Sequence, residues 1–249
     1  MMRRTWLLLP LISLVGCATG PTFYSESYLA SMAATQFEQL KREMTVSRDP
    51  AGMAMVNRVS GRIARAIGPE MPEADWEFVL FEDPSANAFA MPGGKIAVFT
   101  GLLELVDSDD ELAAVIGHEI AHVQLQHANQ RMSAEMIRGA VGVGAAILTK
   151  DMESDNRAMV LAAYGLGSQV GIMLPYSRYH ESEADRLGLM IAARAGYDPR
   201  AALRFWEKMA TASPRSMPEF LSTHPGYDTR IETLDAAMPE AMRLYEAAR

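Results

Sequence analysis

The run His118-Glu119-Ile120-Ala121-His122 decides how the rest of the chain is read. On a helix, His118 and His122 fall about 40° apart on one face, so both imidazoles can reach a single metal ion. Glu119 projects about 100° from His118, beside the pair rather than between them. That is where a carboxylate base can take a proton from a water activated by the metal. The flanks argue for a helix on their own account. Ser108-Asp109-Asp110-Glu111 has the S-x-x-E pattern of a capping box, and its acidic residues suit a positive helix start. Leu112, Ala113, Val115, Ile116, Ile120, Val123 and Leu125 then make a helix apolar over most of its circumference. Such a helix is predicted to be buried and therefore to hold ligands stiffly.

Two histidines do not close a catalytic zinc site, which takes three protein ligands and keeps one position open. The stretch Tyr176-Ser177-Arg178-Tyr179-His180-Glu181-Ser182-Glu183-Ala184-Asp185 offers further candidates. A helix from about Arg178 to Ala195, stopped by Gly196, would carry them. Glu181 and Asp185 are four apart and share a face, so a ligand and an acceptor for an imidazole N–H suit that pair. Glu183 points about 160° from Glu181 and remains the competitor. His127, nine residues from His118, is expected to face away from the metal if the helix continues. His180 is expected at the surface, and His224 by itself reads as a loop histidine.

The composition narrows the alternatives. With 249 residues, 49% hydrophobic and 22% charged, the chain can build one domain of moderate size with appendages. A net charge of −8 and the lack of any Lys/Arg cluster exclude a nucleic-acid partner. The single cysteine rules out both a disulfide framework and a thiolate zinc site, so a metal must be held by His and carboxylate. The eighteen methionines read as adaptable core filler.

Residues 1–16 have the form of an export signal, with Arg3 and Arg4 followed by an apolar stretch from Trp6 to Val15. That stretch is too short for a stable transmembrane helix. Leu14-Val15-Gly16-Cys17 resembles the bacterial lipobox, whose cysteine becomes the lipidated first residue of the mature protein. The alanine after Cys17 resembles that of lipoproteins passed on to the outer membrane. Acyl chains on Cys17 would then hold the globular part at the periplasmic side of that membrane.

Tyr24 to Met44 and Met53 to Ile67 carry apolar residues at helical spacing and predict two amphipathic helices. Trp76 to Phe81 and Lys95 to Thr100 have strand composition and suggest a small antiparallel sheet beside the metal helix. The connecting stretch Asn87-Ala88-Phe89 with Pro92-Gly93-Gly94 is a candidate for holding a substrate peptide along an exposed strand edge. Residues 138–174 contain two apolar runs, neither reaching the roughly 20 residues of a bilayer crossing. They read as core or hairpin, with a mobile lid over the metal as the alternative because of their many glycines.

Taken in order, His118-Glu119-x-x-His122, Glu181-x-x-Ala184-Asp185, Asn87-Ala88-Phe89 with Pro92-Gly93-Gly94, and His224-Pro225 with Arg230 resemble the CAAX prenyl-endopeptidase-like zinc metallopeptidases. The likeness is to the Ste24, HtpX and Oma type, and within it to the periplasmic BepA and LoiP branch. The resemblance covers roughly residues 78–234. It implies that His118, His122 and Glu181 bind one zinc ion, that Glu119 is the general base and acid, and that Asp185 orients a ligand histidine. It also implies that His224 approaches the metal, either filling the water position at rest or helping at the transition state, and that Arg230 packs nearby. Within residues 1–249 the expected departures from that family are the tetratricopeptide repeats of the BepA type and the multi-pass membrane region of the prenyl proteases, neither of which is read in the sequence.

The expected architecture is α+β: a mostly helical zincin of the gluzincin kind with a small sheet beside the His118–His122 helix. Residues 17–249 would form one metallopeptidase domain, with N-terminal helices over 24–67 and a catalytic core over about 76–235. The expected task is hydrolysis of misfolded or stalled envelope proteins, with envelope assembly machinery as a candidate partner. The rival reading is a lipid-anchored chaperone or assembly factor whose zinc site is structural or plugged.

Overall fold

A computed structural model describes residues 20–169, 173–211, 224 and 227–249. Cys17, residues 1–16 with the expected export signal, and the side chain of Tyr176 lie outside the described residues. The chain opens with α1 (Glu26–Glu43) and α2 (Pro50–Ile67), the two amphipathic helices expected. Asp49 caps α2 by accepting from Ala51 N and Gly52 N, with Pro50 at the first helical position. Three strands follow, β1 (Glu77–Phe81), β2 (Ala88–Met91) and β3 (Lys95–Phe99).

The sheet departs from the expected antiparallel pair. Its order is β1-β3-β2: β1 and β3 run parallel, and β2 pairs antiparallel with β3 across the Gly93-Gly94 turn. The stretch read as a connection is therefore itself a strand, and a third strand between two others in sequence reverses the sense of the outer pair. Both turn glycines sit at positive φ, 82° and 89°, which an L side chain rarely adopts. Side chains alternate across the sheet. Leu80, Ala88, Ile96 and Val98 face the main core with α2, while Val79, Phe81, Ala97 and Phe99 pack with Phe37 of α1 on the opposite face.

A short helix, α3 (Thr100–Leu103), leads into α4 (Asp109–Gln124), which carries His118 and His122. Ser108 caps α4 by accepting from Glu111 N at 3.3 Å. The Glu111 carboxylate answers Asp107 N, one residue outside the expected box, at 2.9 Å. Residues Leu112 to Ala121 are buried apart from Ala114, as the wrap-around apolar pattern required. A hairpin of α5 (His127–Leu148) and α6 (Ser154–Ser168) comes next, then α7 (Leu174–Arg194), α8 (Arg200–Thr211) and α9 (Tyr227–Ala247). Gly196, at φ 75°, ends α7 where the sequence placed the stop.

The centre of the fold is the crossing of α4 and α7. A Cβ built on Gly117 would lie 2.7 Å from the carbonyl oxygen of Gly188, and one on Gly188 would lie 2.6 Å from His118 N. Two backbones touch there because neither helix carries a side chain at the contact. Among the described residues, no helix is long and apolar enough to cross a membrane. Residues 138–168 lie on the α5–α6 hairpin, and their apolar runs are not buried core: Val143, Ile147, Leu148, Met159 and Leu166 are all exposed.

Candidate active site

The glycine contact brings the Glu181 and Asp185 carboxylates, in the middle turns of α7, against the last two turns of α4. His118 and His122 point their Nε2 atoms at one spot and lie 3.0 Å apart. Glu181 reaches the same spot, with Oε2 3.3 Å from His118 Nε2 and Oε1 3.6 Å from His122 Nε2. His224 Nδ1 lies 3.3 Å from His118 Nε2 and 2.9 Å from Glu181 Oε2. These four side chains offer one ligand atom each, all within 4.8 Å of one another.

The spacing fits zinc. A tetrahedral shell with bonds of roughly 2.0–2.1 Å has donor-to-donor edges of roughly 3.3–3.4 Å, close to the separations found here. Proton bookkeeping agrees. Asp185 Oδ1 lies 3.0 Å from His118 Nδ1, so that nitrogen donates to the carboxylate and leaves a lone pair on Nε2 for a metal. Glu119 is buried, and among the described residues its Oε1 has no hydrogen-bond partner, although it lies 3.4 Å from His224 Nε2. A buried carboxylate oxygen left unsatisfied beside a ligand set is placed to receive a proton.

Asp185 is itself held by Arg230, through Nε at 2.8 Å and Nη2 at 2.5 Å, a forked pair. Arg230 also lies 3.3 Å from Glu181 Oε2 and stacks on Trp206, its guanidinium carbon 3.6 Å from the ring centre. Paired with both Asp185 and Glu181, Arg230 holds the two carboxylates in place. Burial opposes a charge on Asp185, and Arg230 overcomes it to hold the carboxyl below its usual range. Glu181 is likewise opposed by burial and driven down by hydrogen bonds to His118, His122 and His224. Burial and Arg230 disfavour a proton on His118, but Asp185 and Glu181 outweigh them and raise it to about 9.

Two histidines depart from expectation. His127 does not face away: it is buried, with Nδ1 2.8 Å from His122 Nδ1. The helix does not continue as assumed. Gln126 sits at φ 56°, ψ 31°, the left-handed region, which ends α4 and restarts the chain as α5 with His127 turned back toward His122. His180 is buried instead of exposed and stacks on His127, centroids 4.0 Å apart and planes 13° apart. All five histidines of the chain therefore form one contiguous group. Burial, then His180 and His122, push His127 down to about 2, and burial, then His122 and Arg131, push His180 down to about 4. Nothing in the periodicity marked Gln126 as a break. The residue spacing H-x₄-H after His122 was the only signal available.

Glu183, the competitor for the third ligand, is not in the cluster; its Oε1 accepts from Tyr179 OH at 2.9 Å. Asn87 and Ala88 are buried, Asn87 Oδ1 accepting from Ala88 N at 2.9 Å. Phe89 packs edge-on against Phe99 with centroids 6.0 Å apart. Asn87 and Ala88 are used in packing and Phe89 in part, and the backbone of β2 forms the sheet edge lying against α4.

The profile of peptidase family M48 matches residues 50–238. The chain is 35% identical over 218 residues to the mitochondrial metalloendopeptidase OMA1 of Bos taurus, covering 84% of this chain and 41% of that protein. It is 36% identical over 189 residues to the mitochondrial metalloendopeptidase OMA1 of Schizosaccharomyces pombe, covering 75% and 53%. It is 32% identical over 225 residues to the beta-barrel assembly-enhancing protease of Yersinia pestis, covering 87% and 45%. The chain thus spans about half the length of these relatives. The family is zinc-dependent, in keeping with the His and Glu cluster. The match over most of its length, together with these identities, makes the chain a member of peptidase family M48.

Proposed function

We propose that this chain is a zinc-dependent metalloendopeptidase in which His118, His122 and Glu181 hold the metal and Glu119 is the general base and acid. The single observation that carries the reading is the buried Glu119 Oε1, without a hydrogen-bond partner among the described residues, beside the converging donors of His118, His122 and Glu181. Zinc held there would supply the Lewis acidity that makes water a nucleophile near neutral pH. Glu119 takes the proton from the attacking water and returns it to the leaving amine nitrogen. Asp185 keeps His118 in the tautomer that leaves Nε2 free, and Arg230 fixes Asp185 and Glu181 together. The edge of β2 at Asn87, Ala88 and Phe89 is the place for an extended peptide to add as a further strand.

The substrates we propose are misfolded or misassembled envelope proteins, met by a domain tethered through acyl chains on Cys17 to the periplasmic side of the outer membrane. The lipobox-like Leu14 to Cys17 stretch and the name of the Yersinia relative support this. Envelope assembly machinery is the partner that this setting implies.

One observation favours a second reading. With His224 the cluster has four protein donors, the count of a closed structural zinc site, and a plugged site would suit a chaperone or assembly factor. Replacing Glu119 by Gln separates the two. The peptidase reading expects zinc retained and casein hydrolysis reduced by about 10²-fold or more. Equal function of Glu119→Gln and the native chain would favour the chaperone.

A further inference from the structure

We infer that His127 is a positioning residue for the metal site, its Nδ1 accepting the Nδ1–H of His122 and so holding that ring's Nε2 toward the ion. The inference rests on the reading of His122 as a zinc ligand. An imidazole that binds through Nε2 must carry its proton on Nδ1, and a ligand histidine almost always gives that proton to a fixed acceptor. For His118 the acceptor is Asp185. For His122 the atom in reach is His127 Nδ1, at 2.8 Å.

The tautomers follow in sequence. If His127 accepts at Nδ1, its own proton sits on Nε2, which lies 3.5 Å from Glu183 Oε2. A neutral imidazole offers one donor and one acceptor, so accepting from His122 at Nδ1 puts the remaining proton on Nε2, which faces Glu183 and makes no hydrogen bond among the described residues. His127 is in turn fixed on its flat side by His180. His180 Nε2 lies 3.0 Å from Gln130 Oε1, so it donates, and Gln130 Nε2 donates to Leu125 O at 2.7 Å. Leu125 is the C-cap of α4, which closes a loop of contacts around the Gln126 break.

The start of α5 is clamped from outside as well. Gly20 N donates to Gln130 Oε1 at 3.1 Å, Phe23 N to Ser133 Oγ at 2.9 Å, and Tyr24 N to Asn129 Oδ1 at 3.2 Å. Asn129 Nδ2 returns a bond to Tyr24 O at 2.7 Å. Asn129, Gln130 and Ser133 are all buried. A left-handed glutamine costs about 1–2 kcal/mol, and this clamp is the surrounding structure that holds it. The strained turn, the stacked pair and the clamp converge on one atom, the acceptor for His122.

The test uses full-length chains and reads zinc affinity by competition with a fluorescent chelator. His127→Phe keeps a ring to stack on His180 but has no acceptor; His127→Asn keeps an acceptor of similar reach. His127→Phe is expected to bind zinc 10- to 100-fold more weakly, and His127→Asn to recover most of the loss. The d–d absorption of the cobalt-substituted protein is expected to change in His127→Phe and not in His127→Asn, which a role in folding alone would not produce. Equal zinc affinity of His127→Phe and the native chain would overturn the inference while leaving the ligand assignment intact. A native chain that takes up no zinc would overturn both. Should the phenylalanine variant fail to fold, the zinc-loaded native protein decides. Its long-range ¹H–¹⁵N spectrum is expected to show His122 protonated on Nδ1 and His127 on Nε2, and a proton on His127 Nδ1 would refute the inference.

Discussion

The α4–α7 crossing and the α5–α6 hairpin both depend on glycine, and the two uses are opposite. At the crossing, Gly117 and Gly188 let two backbones meet at distances no Cβ could occupy. In the hairpin, Cβ atoms on Gly139, Gly144, Gly165 and Gly167 would meet nothing within 4 Å. The first pair therefore sets geometry and the second set merely lowers helix propensity. Charge is divided in the same way. Beneath the crossing lie His118, Glu181, Asp185 and Arg230, all buried and mutually paired, with Glu119 buried beside them, whereas the hairpin presents exposed Val143, Ile147 and Leu148. A close backbone contact with an ionic network under it allows little movement, while a helix pair resting on its own contacts allows a good deal.

The comparison is broken most severely by Arg230→Met. Asp185 would be left charged, buried and without its fork, and removing one partner of such a pair costs about 3–5 kcal/mol. Urea unfolding of the metal-free chain should show that loss, with zinc affinity falling at the same time. Gly188→Ala comes next: its Cβ would press on His118 N and Cα, and overpacking of this kind costs about 1–3 kcal/mol. Reduced zinc content per folded chain is the accompanying readout, because the helices that carry His118 and Glu181 must separate. An alanine variant as stable and as metal-loaded as the native chain would show that the crossing is looser than described.

A third prediction concerns protons. Without metal, His118 titrates at about 9 and so carries a proton at neutral pH, whereas His122 is lowered from its usual value and Glu181 is held ionised. Zinc can bind only the deprotonated ring, so binding at pH 7 should release about one proton. Affinity should fall about tenfold per pH unit on acidification below pH 9, and calorimetry in buffers of different ionisation enthalpy checks it. The smallest effect belongs to the hairpin. Gly139→Ala is expected to raise stability by about 0.5–1 kcal/mol, and Leu148→Ser to change it by less than about 0.5 kcal/mol. A large loss from either would mean that the hairpin is packed against something.

The same contrast explains what could be read in the sequence. The α4 helix was legible because Ser108, the apolar wrap from Leu112 to Ile120 and the histidine spacing all pointed one way. Glu181 and Asp185 were legible as a pair sharing a face, and their meeting with His118 follows from one helix crossing. The crossing itself was not, since Gly117 and Gly188 look like the hairpin glycines until their neighbours are known. The parallel sense of β1 and β3 was hidden because β2, only four residues long, read as a connection. His127 and His180 were misplaced for one reason: a single left-handed residue, Gln126, interrupts a run whose periodicity continues through it. Periodicity reports which face a side chain shares within a helix and says nothing of where a helix with no glycine or proline will stop.

The most direct test is diffraction from zinc-loaded crystals at the zinc absorption edge. One anomalous peak per chain is expected, about 2.0–2.2 Å from Nε2 of His118, Nε2 of His122 and a carboxylate oxygen of Glu181. A peak elsewhere, or one that leaves Glu181 out of the coordination shell, would contradict the account.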